Sequence, residues 1–305
     1  METAAEKGLR RSFIASDGAE ISYLDIGEGT PLLWIHGWGG DAARQQDFLS
    51  ALSRFGFRGL CFDQRGCGES KSVQDLGIPR SARDTKELLE HLGIDDVVML
   101  GYSMGAAVLF SYVEQFGSAH VSRFIVGDMS PKPLNDENWR LGIYQGWYTP
   151  EQMERDLYNM EHNYPAFAAF FAEQTIFPHT PDEVRTFAEG PEMLEQVRSR
   201  AGKSELLEYF VDVPDQARRR VNRIYWESCD SRDFRPVLEK IDVPTGLFFA
   251  RPGSLYDPRT AEWMAGRIPD AHVYFFDGCT HLASGEKPLE FMKAIVDFLE
   301  KTGGR

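Results

Sequence analysis

Short apolar runs alternate with segments of helical period along the first 130 residues, and the same alternation returns near the C-terminus. The runs EISYLD (20–25), PLLWIH (31–36), RGLCF (58–62), DVVML (96–100) and VSRFIVG (121–127) have the length and residue types of strands. Several are apolar nearly throughout, as strands covered on both faces are. Between them, 42–54, 79–92 and 104–116 carry helical spacing. In 79–92, Pro79 suits a first turn, Leu88, Leu89 and Leu92 fall on one face, and Gly93 ends the pattern. A second block repeats the order with strand 244–250 (PTGLFFA), helix 258–267, strand 272–276 (HVYFF) and helix 288–301. This alternation predicts an α/β fold, a mostly parallel central sheet with helices on both faces.

Residues 131–240 break the rhythm. Strand-like runs become scarce, prolines and charges frequent, and segments such as 151–161 and 203–211 read as helices. The expected organisation is therefore a core of 1–130 and 241–305 with an inserted, mostly helical cap at 131–240.

Composition narrows the function. The chain has 305 residues, 42% of them hydrophobic and 26% charged, which is enough to bury a large core and excludes a disordered or fibrous protein. The formal net charge of −14 repels nucleic acid and anionic membrane surfaces, so no nucleic-acid partner is expected. METAAEKGLRRSF at the start lacks an apolar signal core, and no apolar run reaches the roughly eighteen residues of a membrane span. No membrane partner is expected, and the expected location is cytoplasmic. Nothing in the chain specifies an oligomeric state. Cys61, Cys67, Cys229 and Cys279 are too few and too scattered for a disulfide scaffold and read as free thiols.

Between the runs VVML and AAVLFSYV lies GYSMG (101–105). A serine flanked by glycines at a strand-to-helix junction is the pattern of a nucleophile elbow. Gly101 relieves crowding before the turn, Gly105 lets the helix approach the strand, and Ser103 is lifted out with its hydroxyl exposed. A serine hydroxyl needs a base, and a Ser…His chain order points to His281, in the loop GCTHL before the last helix. His91 and His120 bound helices and His162 and His179 fall in the cap segment, where surface or packing roles suffice. The glycine-rich WIHGWGG (34–40) follows a strand and suits the other wall of an oxyanion hole, with the backbone N–H groups of Trp38 and Met104 as donors. His36 is expected to hold that loop by hydrogen bonds, Trp38 to face the pocket, and Cys279 to be a packed thiol.

HGWGG, FDQRGCGES (62–70), GYSMG and GCTHL, in this order and at these spacings, resemble the α/β-hydrolase superfamily, most closely its cap-bearing esterases, lactonases and haloperoxidase-like members. The resemblance covers nearly all of the chain except the cap. It implies Ser103 as nucleophile, His281 as base and an acid to orient it, with no metal or organic cofactor. It also implies that Asp63 and Arg65 brace loops. Thr280 stands where a glycine usually precedes the histidine, and Ala106 where many relatives carry another glycine. In most relatives the acid follows the strand here at 244–250, and that slot holds Ser254. Asp257 is close by but, before Pro258, is explained as a helix cap. A subset that includes lactone hydrolases has its acid after the strand that follows the nucleophile helix, where Asp128 stands. Asp128 is the preferred acid and Asp257 the alternative.

The resulting expectation is a serine hydrolase acting on a small-molecule carboxylic ester or lactone through an acyl-serine intermediate. Alternatives are a C–C bond hydrolase, a cofactor-independent perhydrolase or haloperoxidase, and, in a different class, a non-catalytic ligand-binding protein of the same fold. A serine in the elbow argues against the dehalogenase and epoxide hydrolase branches, which use an aspartate there.

Overall fold

Eight strands, β1 (Arg10–Ile14), β2 (Glu20–Ile26), β3 (Thr30–Ile35), β4 (Phe57–Phe62), β5 (Val97–Tyr102), β6 (Val121–Gly127), β7 (Thr245–Pro252) and β8 (Ala271–Cys279), form one sheet in the computed structural model. The structure describes residues 10–180, 191–201 and 215–303. The strand order is β1-β2-β4-β3-β5-β6-β7-β8. β2 pairs antiparallel with β1 and β4, and all other neighbours are parallel.

The described helices are α1 (Gln46–Ser53), α2 (Ile78–Leu92), α3 (Met104–Phe116), α4 (Pro150–His162), α5 (Tyr164–Ile176), α6 (Pro191–Ala201), α7 (Gln216–Asp230), α8 (Arg259–Ala265), α9 (Ala283–Glu286) and α10 (Pro288–Lys301). They cover both faces because successive strand residues point to opposite sides. Leu33 and Ile35 of β3 pack in one cluster with Leu88 and Leu89 of α2 and Val108 and Leu109 of α3. Leu32 and Trp34 pack in a second cluster with Leu49 and Leu52 of α1 and Phe291 and Ile295 of α10. No helix among the described residues is long and apolar enough to cross a membrane.

Two elements depart from the sequence pattern. β1 (RRSFI) has no apolar run; it forms because its backbone pairs with β2, Arg10 opposite Leu24 through Ile14 opposite Glu20, while Phe13 alone turns inward. α5 has no polar stripe to mark its period. Tyr164, Ala166, Phe167, Ala168, Ala169, Phe170, Phe171 and Ala172 are all buried, so it is enclosed on every side. The helix expected at 203–211 lies outside the described residues.

Register aligns the carboxyl ends of the parallel strands. Ile35 of β3 lies opposite Gly101 of β5, Tyr102 of β5 opposite Gly127 of β6, Gly127 opposite Phe248 of β7, and Pro252 of β7 opposite Cys279 of β8. Loops that follow β3, β5, β6, β7 and β8 therefore meet along one edge of the sheet, the edge where open α/β sheets bind ligands.

Candidate active site

Ser103 is the residue between β5 and α3, with φ 54° and ψ −128°. A positive φ is costly for a residue with a Cβ, and the surroundings must over-determine it. Here the Ser103 N–H donates to the Gly127 carbonyl at 2.7 Å, and its own carbonyl accepts the Ala106 N–H at 2.8 Å. The glycines on either side are required by contact. A Cβ on Gly101 would lie 2.7 Å from the Ala106 Cα, and one on Gly105 would run into the Ile35 carbonyl. Gly37 makes a third close approach, since a Cβ there would sit 3.2 Å from the Ser103 Cβ. The loop 36–40 thus closes directly against Ser103 and carries Trp38 with it. Met104, the first residue of α3, has one of the backbone N–H groups that a helix leaves without an internal acceptor.

His281 follows β8, and its ring joins two loops. Nε2 lies 2.9 Å from the Ser103 Oγ, and Nδ1 lies 2.6 Å from Asp128 Oδ2. Asp128 comes directly after β6 at φ 42°. Its N–H donates to the Phe248 carbonyl at 2.8 Å, and its Oδ1 accepts the Ala250 N–H at 3.3 Å. Both Asp128 and His281 are buried, whereas Ser103 is partly open.

The His281 backbone is held as firmly as its ring. Its N–H donates to Ser254 Oγ at 2.8 Å, and Ser254 in turn donates to the Thr175 carbonyl of α5 at 3.0 Å. The Tyr102 hydroxyl donates to the His281 carbonyl at 2.8 Å. Tyr102 and Tyr256 flank the imidazole with ring centres 5.9 and 5.7 Å away. Thr280, in place of a glycine, is fixed by Glu286, which accepts its N–H at 2.8 Å and its hydroxyl at 2.7 Å.

The other singled-out residues fall into bracing positions. Gln64 N–H donates to His36 Nε2 at 3.1 Å, so Nδ1 carries the ring proton toward the Gly37 carbonyl at 2.9 Å. Burial lowers the His36 pKa and keeps the ring neutral. Asp63 accepts from Arg10 at 2.7 Å, from Ala42 N–H at 2.6 Å and from Glu69 N–H at 2.9 Å. Arg65 is shared between Asp84 and Asp17. Asp257 accepts the Arg259 N–H at 2.9 Å and the Arg259 Nε at 2.7 Å, at the start of α8. His91 stacks on Phe13, His120 pairs with Asp95, His162 lies on Tyr158, and the His179 N–H donates to the Gly253 carbonyl. All four cysteines are free and buried. Burial pushes the Cys279 thiol up to about 11 and Cys67 up to about 12, which leaves both protonated and poor nucleophiles near neutral pH.

A small cavity of about 20 Å³ opens at Ser103, walled by Met104, Met129, Tyr256 and, from between β6 and β7, Phe171, Trp226 and Asp230. That is room for about one water molecule. The Trp38 indole meets Phe167, Phe171 and Trp226 edge-on at 5.1 to 5.6 Å and donates its Nε1–H to the Asn222 carbonyl at 2.8 Å. Tyr102 and Ser254 act on His281 across 179 and 27 residues, and Glu286 fixes the preceding Thr280 across 6. Tyr102 stands inside the GYSMG pattern, but its partner is visible only in three dimensions. Asp230 has no sequence signal at all. Among the described residues no group of three or more His, Cys, Asp or Glu could hold a metal.

Known proteins share the fold. The family described as alpha/beta hydrolase fold matches residues 30–288. Non-heme chloroperoxidase CPO-A1 of Kitasatospora aureofaciens is 39% identical over 93% of this chain and 98% of its own length. A proline iminopeptidase of Saccharolobus solfataricus is 23% identical over 97% of this chain and 93% of its own. An esterase from Exiguobacterium antarcticum superposes with a TM-score of 0.77 at 22% identity, covering 95% of this chain and 98% of that one. A bromoperoxidase from Bacillus anthracis superposes at 0.75 and 22%, covering 95% and 100%.

Proposed function

The chain belongs to the alpha/beta hydrolase fold family, and from that premise we propose that it is a serine hydrolase cleaving a small carboxylic ester or lactone through an acyl-serine intermediate. The observation that carries the reading is the continuous line from Ser103 Oγ through the His281 imidazole to Asp128, at 2.9 and 2.6 Å. Ser103 attacks the carbonyl carbon while His281 Nε2 takes its proton, and Asp128 keeps the Nδ1–H tautomer and stabilises the imidazolium. The N–H groups of Met104 and Trp38 receive the developing oxyanion. His281 returns the proton to the departing alcohol oxygen, and water then cleaves the acyl-serine by the same steps. A neutral His36, turned to its own loop, takes no proton from Ser103.

Residues 131–240 form the cap in this reading, with 1–130 and 241–305 as the core. Support comes from Phe171, Trp226 and Asp230, which wall the Ser103 cavity. With about 20 Å³ of free space, an acyl group enters only as those side chains yield, so short acyl chains turn over fastest. A fluorophosphonate should label Ser103 stoichiometrically, and p-nitrophenyl esters of graded length beside simple lactones should report the acyl preference. Absence of an adduct at Ser103 overturns the assignment.

A second reading is favoured by the 39% identical chloroperoxidase. Hydrogen peroxide in place of water would attack the same acyl-serine carbonyl, releasing a peroxy acid and free Ser103, and the peroxy acid would oxidise halide in solution. Ser103→Ala abolishes both activities if they share the acyl-enzyme. Halide oxidation that survives Ser103→Ala would separate them.

A further inference from the structure

The cavity beside Ser103 has one carboxyl in its wall, and the proposed chemistry does not use it. Asp230, the last residue of α7, lines it with Trp226, Met129 and Tyr256, and its side chain is buried. Oδ2 has no hydrogen-bond partner among the described residues. The Tyr148 hydroxyl accepts the Trp226 Nε1–H at 2.6 Å and hydrogen-bonds Asp230, so the polar chain ends at this carboxyl. A buried polar atom without a partner costs about 1–3 kcal/mol, which a ligand group can recover.

We infer that Asp230 is a specificity-determining residue whose Oδ2 hydrogen-bonds an uncharged acceptor oxygen on the acyl portion of the substrate, such as a ketone a few atoms from the scissile carbonyl. The inference rests on the ester-cleaving reading of the same pocket. The acceptor chemistry follows from what surrounds the group. The titratable side chains that face it are Tyr148 from the loop before α4, Asp156 of α4, Cys229 of α7 and Tyr256 from the loop after β7. None of these is a cation, and Asp156 is a second acid. Asp230 also sits at the C-terminal end of α7, where the helix dipole disfavours negative charge. Burial then raises its pKa well above the ordinary carboxylate range, and the Tyr148 hydrogen bond only partly opposes this. With burial, the helix end and no cation beside it all favouring the protonated form, the group has a proton to donate from an oxygen without a protein partner among the described residues.

The test compares methyl 4-oxopentanoate with methyl 4-methylpentanoate, which share one heavy-atom skeleton and differ in the acceptor oxygen. Each kcat/KM is divided by the hydroxide-catalysed rate of the same ester. The wild-type ratio should favour the keto ester by about tenfold or more, the effect of one hydrogen bond to a buried group. Asp230→Asn keeps an N–H donor and should keep the preference, while Asp230→Leu should bring the ratio to about one. If Asp230→Leu does not fold, methyl 4-aminobutanoate decides with the wild type and Asp230→Asn alone. A wild-type preference for that cationic ester, lost in Asp230→Asn, means an ionised Asp230 and overturns the inference. Equal rates on the keto and methyl esters overturn it while leaving ester cleavage intact. No Ser103-dependent turnover of either ester overturns both readings.

Discussion

The loops after β6 and β7 offer the sheet edge two buried aspartates, and they have opposite fates. Asp128 and Asp257 are each about 1% exposed. Asp257 is satisfied by its own neighbours, the Arg259 N–H and guanidinium two residues on. Asp128 has one oxygen on the Ala250 N–H and the other on a histidine 153 residues away. In the β7 loop it is Ser254 that faces His281, and it grips the backbone N–H instead of the ring. An acid can orient an imidazole only where local structure has not already claimed its oxygens. A hydroxyl can take over the vacated neighbouring slot as an anchor for the main chain.

Several variants sharpen or break this comparison. Ser103→Ala and His281→Ala should each lower kcat by about 10⁴-fold or more, with the double variant scarcely worse, because groups acting as one unit are not additive. Thermal unfolding should stay nearly unchanged. Residual activity above about a tenth in either variant removes the proposed nucleophile or base. Asp128→Asn should keep the fold and lower kcat by about 10³- to 10⁴-fold, since an amide holds the wrong tautomer and cannot stabilise the imidazolium. If Asp257→Asn gave that loss instead, the roles of the two loops would be reversed.

Asp156 gives the comparison a third case, a buried acid beside an uncharged phenol, Tyr144. Burial pushes its pKa up to about 7, opposed by Arg155 and the Tyr144 hydroxyl, with Asp230 the acid next to it. The folded state therefore binds a proton that the unfolded chain has released between about pH 4 and 7, so this group's contribution to stability falls as pH rises through that window. Asp156→Asn should gain about 2–4 kcal/mol relative to wild type between pH 4 and pH 8 in denaturant unfolding. A difference independent of pH would mean that Asp156 is ionised throughout.

Ser254→Ala strips the acceptor from the His281 N–H and should cost about 1–3 kcal/mol of stability, with a fall in kcat of about tenfold as the ring loses its anchor. Unchanged kcat would make Ser254 a packing residue only. The smallest effect is expected for Asp257→Asn, within about twofold in kcat and a few tenths of a kcal/mol, because asparagine caps a helix as well as aspartate does.

Much of this was legible along the chain because it is local. Buried strands are apolar runs, helices repeat every 3.6 residues, and an elbow needs small residues at fixed offsets, so β5, α3 and the glycines around Ser103 follow from nearest neighbours. The exclusion of bulk at Gly101 and Gly105 is a property of one turn. Other features had no such signature. β1 exists because β2 offers it a hydrogen-bonding edge, and α5 is enclosed on all sides, which erases the polar stripe that would mark its period. The sequence preferred Asp128 to Asp257 as the partner of His281, and the structure brings Asp128 to the ring; tertiary structure alone decided that Tyr102 and Ser254 hold the His281 backbone and that Asp230, with an oxygen unpartnered among the described residues, lines the Ser103 cavity. These contacts join residues far apart in sequence. They depend on sheet register and helix placement, which the whole core sets at once and no local pattern encodes.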